Sequence, residues 1–226
     1  MKLFLVLLLL TVECISAHGQ RLRLNAYGSY QFDDGFSSHF DDNNFYSGKV
    51  NGGAQWGAGL EYMLRPSYCI EFLYLHQSTH SPVTWQAGKN NPVKSENPKL
   101  DYDCLFLGSD VHHKFSSSSL EGYAGLFLGE AYLHLNNVET GTTASTSKFS
   151  FSARMGCNIW LLDRLGVKLQ AQFLSIVRGT GNDFYFGTYG NNVGLNDYSG
   201  IYQFGLGGGL SLKLGGQKKK SKYQVM

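Results

Sequence analysis

Arg21-Leu22-Arg23-Leu24-Asn25-Ala26-Tyr27-Gly28-Ser29-Tyr30-Gln31-Phe32 changes character at every step. Leu22, Leu24, Ala26, Gly28, Tyr30 and Phe32 fall on one side of an extended chain, and Arg21, Arg23, Asn25, Tyr27, Ser29 and Gln31 on the other. Period-two alternation marks a strand whose two faces meet different surroundings. Twelve residues is long for a soluble strand and suits one tilted across a bilayer.

The far end of the chain repeats the pattern. Tyr202, Phe204, Leu206, Leu210, Leu212 and Leu214 share one face, and Gln203, Gly205, Gly207, Gly209, Ser211 and Lys213 the other. Between these two stretches, alternation predicts strands near 53–64, 68–78, 101–113, 120–135, 147–160 and 166–178, making eight, an even number as bacterial barrels require. The connections alternate in kind. Those around Arg65-Pro66-Ser67, Lys114 to Ser119 and Leu161 to Leu165 are short, whereas Asp33 to Gly52, Thr79 to Leu100, Asn136 to Thr146 and Gly179 to Ser199 are mostly long and polar. Short turns at one end and long loops at the other predict an all-β fold, an eight-stranded antiparallel up-and-down transmembrane β-barrel over residues 20–214.

Ahead of the barrel, Met1-Lys2 precedes an apolar run from Leu3 to Leu10, too short for a membrane-spanning helix. Ala17-His18-Gly19 offers small residues where a signal peptidase reads, so residues 1–19 are expected to be a signal peptide, with cleavage after Ala17 as the alternative. Val12-Glu13 before Cys14 argues against a lipoprotein anchor. After the last strand, residues 215–226 carry Lys218-Lys219-Lys220-Ser221-Lys222, a basic periplasmic tail on this reading.

Composition fits a barrel with a polar interior: 28 glycines, 14% aromatic residues and four prolines. A net charge of +2 gives no reason to expect nucleic acid. The mature chain keeps Cys69, Cys104 and Cys157, an odd number that cannot form a complete internal disulfide framework. Cys69 and Cys104 start neighbouring antiparallel strands, hence lie at opposite ends, and all three read as small apolar residues.

Three stretches carry a family resemblance: Gly57-Ala58-Gly59-Leu60-Glu61-Tyr62, Ile70-Glu71-Phe72-Leu73-Tyr74, and the closing Tyr202 to Leu214. They resemble the small OmpA-like and OmpX-like outer-membrane barrels, especially the Bacteroidetes-type outer-membrane β-barrel group. The chain departs from many such barrels in not ending on an aromatic residue. The resemblance implies a Gram-negative cell-envelope protein with a polar interior.

An eight-stranded barrel is only wide enough for its interior to be filled by side chains. The inward faces supply a charge cluster of Arg23, Glu61, Glu71, Arg154, Lys168 and Lys213, with Arg21 beside them. Glu61 and Glu71 are equidistant from Pro66 and should oppose each other. Arg154 and Lys168 are equidistant from Leu161 and should pair likewise. Across a narrow lumen the two hairpins would neutralise each other, which buried charges require. Gly57, Gly59, Gly205, Gly207 and Gly209 would leave room for the long side chains.

Other groupings offer chemistry at longer odds. His76 and Ser78 share a face and could form a base–nucleophile dyad, but no third group to orient the histidine can be assigned. Asp110-Val111-His112-His113 holds metal-ligand residue types, of which only Asp110 and His112 converge on a strand, and a polar strand end is the simpler reading. Asp33-Asp34 and Asp41 to Asn44 lack the spacing of a calcium loop. Phe36, Phe40, Phe45 and Tyr46 in one loop and Phe184, Tyr185, Phe186 and Tyr189 in another are candidate contact residues, or else a ring packed at the lipid interface.

The expectation is therefore a non-enzymatic, porin-like scaffold presenting surface loops for envelope integrity, adhesion or host contact, with a plugged lumen. A narrow ion or solute channel and a lipid-modifying enzyme using His76 and Ser78 are the alternatives. No cofactor or metal is called for. The expected partners are outer-membrane lipid and lipopolysaccharide, the barrel-assembly machinery and an extracellular ligand at the loops, with the barrel itself a monomer.

Overall fold

A computed structural model describes residues 21–41, 44–116, 119–138, 140–177 and 200–214. The predicted signal peptide, the basic tail and the segment holding Phe184, Tyr185, Phe186 and Tyr189 lie outside the described residues. Twelve strands are described: β1 (Leu22–Gln31), β2 (Asp34–Asp41), β3 (Asn44–Val50), β4 (Gly53–Arg65), β5 (Tyr68–His80), β6 (Val83–Ala87), β7 (Lys94–Glu96), β8 (Lys99–Lys114), β9 (Leu120–Asn137), β10 (Thr142–Trp160), β11 (Leu165–Ile176) and β12 (Ile201–Leu214). Eight of them close antiparallel in the order β1-β12-β11-β10-β9-β8-β5-β4, and the other four make a second sheet, β2-β3-β6-β7.

Closure follows from the alternation at the two ends of the sequence. β1 pairs with β12 from Leu22↔Leu214 to Gln31↔Gly205, so the two stretches with the clearest patterns are neighbours. Their apolar faces point outward together, with Leu24, Tyr30, Leu206, Leu210 and Leu212 exposed. Further round, Leu105, Leu107, Leu126, Leu128, Met155 and Leu169 continue the apolar exterior. Toward the second sheet it is bordered by rings in contact: Phe32 stacks on Phe204 (centroids 6.1 Å), Tyr202 on Phe173 (6.4 Å), and Trp56 meets Tyr74 edge-on (5.6 Å).

Three stretches expected to be loops are strands. Asp33 to Gly52 folds into the β2–β3 hairpin, and part of Thr79 to Leu100 supplies β6 and β7. The pairing of β3 with β6 joins segments far apart in sequence, so no local pattern announces it. Val83 and Trp85 are buried there, and Gly48 lies where a Cβ would come 2.7 Å from the Phe36 ring. The sheet is fixed to the barrel rim by Asn51 N–H donating to the His80 carbonyl (2.9 Å) and Tyr202 N–H donating to Asp34 (2.7 Å). Lys49 bonds the Asp33 carboxylate (2.6 Å) and, with the Gly52 N–H, holds that carboxyl below its ordinary range.

The third expected loop, Asn136 to Thr146, is absent because β9 and β10 run on to Asn137 and Thr142. Their turn uses Gly141 at φ 66°, in the left-handed region that glycine enters without steric cost. At 18 and 19 residues, these strands reach roughly 60 Å along the chain and outrun a ~30 Å hydrocarbon layer even when tilted.

The β10–β11 register also differs from the expected one. Arg154 opposes Gln172 and Lys168 opposes Asn158, because the turn is centred on Asp163 rather than Leu161. Trp160 sets this. Its indole is buried and needs a small partner, and Gly166 opposes it at a place where a Cβ would approach the ring to 2.9 Å. The shift is an even number of residues, so Arg154 and Lys168 keep their inward aim.

Candidate functional site

The barrel interior has two zones. In the half toward the second sheet, the wall made by β5, β8 and β9 is apolar. Leu73, Leu75, Leu100, Tyr102, Cys104, Phe106, Phe127, Leu133 and Leu135 are buried in one cluster, and Phe36 from the β2–β3 hairpin packs against it. The opposite wall carries glutamines. Gln31 and Gln172 both donate to Gln55 (3.0 and 2.9 Å), and Tyr102 reaches Gln203 (2.5 Å) and Gln77 (2.6 Å).

The half toward the short turns is ionic. Glu61 and Glu71 face each other across the β4–β5 hairpin, whose opposite number across the barrel is β10–β11. Lys168 bonds Glu61 (2.5 Å), and Arg154 bonds Glu71 and reaches Asp110 (3.4 Å), with all five side chains shut off from solvent. Both glutamates are also hydrogen-bonded. Tyr27 donates to Glu71 (2.6 Å) and Asn25 to Glu61 (2.7 Å). The Arg154 guanidinium stands 4.1 Å from the Phe127 ring, and Lys168 lies 4.7 Å from Tyr123, so aromatic faces replace part of the lost hydration.

Nearer the turns, Arg23 bonds Glu121 (2.8 Å), which also accepts from His112 Nδ1 (2.9 Å) and Asn158 (3.0 Å). Arg23 lies 3.6 Å from Glu61, which joins the two groups. Charges without partners would cost several kcal/mol apiece, so only such mutual pairing makes this interior tenable.

Of the residues expected in the cluster, Arg23, Glu61, Glu71, Arg154 and Lys168 are brought together. Lys213 is not among them: it is half-buried, with its ammonium 3.3 Å from the Trp160 ring below Arg23. Arg21 is exposed at the rim. Asp110, His112, Glu121, Tyr27 and Asn25 were missed. Asp110 and His112, expected at a polar strand end, are both buried and inward. Small residues make the space, but only some of those expected. A Cβ on Gly59 would strike the Glu71 carboxylate, one on Gly205 the Gln31 amide, and one on Gly125 the Asp110 carboxylate. Gly57, Gly207 and Gly209 instead sit against neighbouring backbone.

On the outer face, His76 has the orienting carboxylate that the sequence could not assign: Asp103 bonds its Nδ1 (2.8 Å) and takes the Tyr74 hydroxyl (2.5 Å). Ser78 is hydrogen-bonded to Asp101, its cross-strand neighbour. The ring candidates in the first hairpin divide. Phe36 turns toward the core, correcting its expected role as an exposed contact, and Phe45 is half-buried. The side chains of Phe40 and Tyr46 are outside the description. Cys69 and Cys104 are buried and unbridged, and Cys157 is unbridged on the outer face.

No protein-family model and no curated protein matches the chain. Solved structures do. Neisserial surface protein A is 10% identical with a TM-score of 0.52, the match covering 85% of this chain and 97% of that one. Outer membrane protein OprG from Pseudomonas aeruginosa is 13% identical with a TM-score of 0.52, again over 85% and 97%. Identities this low carry architecture alone, and the chain has the fold of the small outer-membrane β-barrels.

Proposed function

We propose that the protein is an OmpA/OmpX-like barrel of the Gram-negative outer membrane, of the Bacteroidetes type that its strand patterns resemble, and that it acts by contact at its outer rim. The short turns then face the periplasm and the β2-β3-β6-β7 sheet faces the exterior. The observation that carries this reading is the filled lumen: five ion-paired side chains shut off from solvent occupy the turn-side half, and a buried apolar cluster packs along one wall of the other. The apolar exterior supports the membrane placement, since an exposed patch of this extent would aggregate in water. What remains for function is the projecting sheet and the long β9–β10 hairpin, which offer a structured surface for adhesion or host contact.

Planar bilayer recording tests this. The barrel is expected to show no resolved conductance steps, and steps that scale with salt would favour the narrow-channel alternative. The hydrolase alternative has its own assay. On the contact reading, no fatty acid is expected to be released from lipopolysaccharide. Release that disappears in Ser78→Ala and His76→Ala would establish an enzyme instead.

A further inference from the structure

We propose that the turn-side end of the lumen binds one divalent transition-metal ion, of the zinc or cobalt class, through Cys69, His112 and Glu61. A carboxylate oxygen of Glu61, the Cys69 sulfur and a His112 ring nitrogen all lie within 4.8 Å of one another, and all three residues are buried. Cys69 Sγ is 3.4 Å from His112 Nε2. Sulfur and nitrogen ligands of one tetrahedral zinc stand about 3.5 Å apart, given bonds of ~2.3 and ~2.1 Å. The pair is therefore already at coordination spacing.

Two further observations point to a ligand. Glu61 is fully buried; its Oε1 is held by Lys168 and Asn25, whereas its Oε2 has no hydrogen-bond partner and faces Arg23 Nη1 at 3.6 Å. His112 meanwhile gives its Nδ1 to the Glu121 carboxylate (2.9 Å), which leaves Nε2 as an acceptor facing Cys69, whose thiol meets it at 3.4 Å and reaches Asp110 at 3.9 Å. A carboxylate on the far ring nitrogen is the usual support of a metal-binding histidine, fixing its tautomer and raising its basicity.

Charge completes the case. Among the described residues, the enclosed interior holds the carboxylates Glu61, Glu71, Asp110 and Glu121 against the permanent cations Arg23, Arg154 and Lys168. The carboxylates thus outnumber the permanent cations by one, and a divalent ion bound at Cys69 would displace its thiol proton to solvent. The other buried acidic grouping, Glu61, Glu71 and Asp110, is less suited because Arg154 already bonds two of its members. The choice of a thiolate and an imidazole also favours zinc-like ions over calcium or magnesium.

The full chain, refolded into micelles with Co2+ present so that access does not limit loading, is expected to take up one equivalent. It should show a thiolate-to-cobalt charge-transfer band that Zn2+ displaces. Cys69→Ser and His112→Gln should each abolish the band, and Glu121→Gln should weaken binding by roughly 10–100-fold. Cys157→Ser, altering an outward thiol, should leave it intact. Heat-modifiable gel mobility checks that each variant has folded. Absence of the band in the wild-type protein would overturn the proposal, and so would its survival in folded Cys69→Ser. Neither result depends on membrane placement or on conductance.

Discussion

Arg154→Glu is expected to lower the thermal midpoint of the barrel in detergent micelles by about 10 °C. The guanidinium is fully buried between Glu71 and Asp110. Removing one partner of a buried pair costs about 3–5 kcal/mol, and at this chain length each kcal/mol moves the midpoint by roughly 2–4 °C. The new carboxylate would add repulsion from the two acids already there. It would also lose the approach to the Phe127 and Tyr27 rings at 4.1 and 4.9 Å. A control at an exposed site, Lys94→Glu in β7, should move the midpoint by no more than about 2 °C. The triple change Arg154→Met, Glu71→Gln and Asp110→Asn should recover most of the loss, because uncharged groups of similar volume no longer need a counter-ion. An unchanged midpoint in Arg154→Glu would show that these charges are hydrated and that the lumen is not sealed by them.

The barrel was legible in the sequence wherever the two faces of a strand differ in polarity. In β1, β4 and β12, lipid-type residues alternate with Arg, Asn, Gln, Glu or Gly, so position and inward face can both be read. In β8 and β9 both faces are apolar over several residues, with Cys104 and Phe106 inward and Leu105 and Leu107 outward. That removed the contrast on which parity depends, and the apolar half of the interior went unseen. The same loss of contrast hid Glu121, whose inward aim follows only once Tyr123 and Phe127 are known to be buried. Hairpin arithmetic worked at Glu61 and Glu71, where the turn is tight and irregular pairing is confined to Met63 and Arg65. It failed at Arg154 and Lys168 because the fit of Trp160 against Gly166, not the midpoint of the polar stretch, fixes that turn. The second sheet was illegible for another reason: its strands are short and meet across long separations, so their alternation competes with Ser, Gly and Asn that also suit loops.

Leu126→Arg separates a membrane barrel from a soluble one, because the two surroundings predict opposite outcomes at one residue. Leu126 is 68% exposed on the outer face of β9, with Leu128 beyond it and Leu107, 60% exposed, on the adjoining strand. In a bilayer, an arginine on the lipid face costs about 2–4 kcal/mol near the midplane. Folding into phosphatidylcholine vesicles, followed as a urea titration by tryptophan fluorescence, should therefore shift to lower denaturant by that free energy. Ser37→Arg, exposed in the projecting sheet, should leave the titration unmoved within about 0.5 kcal/mol. In water the reasoning reverses: an arginine at an exposed leucine breaks up an apolar patch, and stability stays the same while solubility rises. A Leu126→Arg chain that folds as well as the parent without lipid would remove the membrane placement. The contact function would then have to be sought on the whole surface rather than at one rim. A loss confined to Leu126→Arg would tie the apolar exterior to lipid and leave the β2-β3-β6-β7 sheet as the part that meets other molecules.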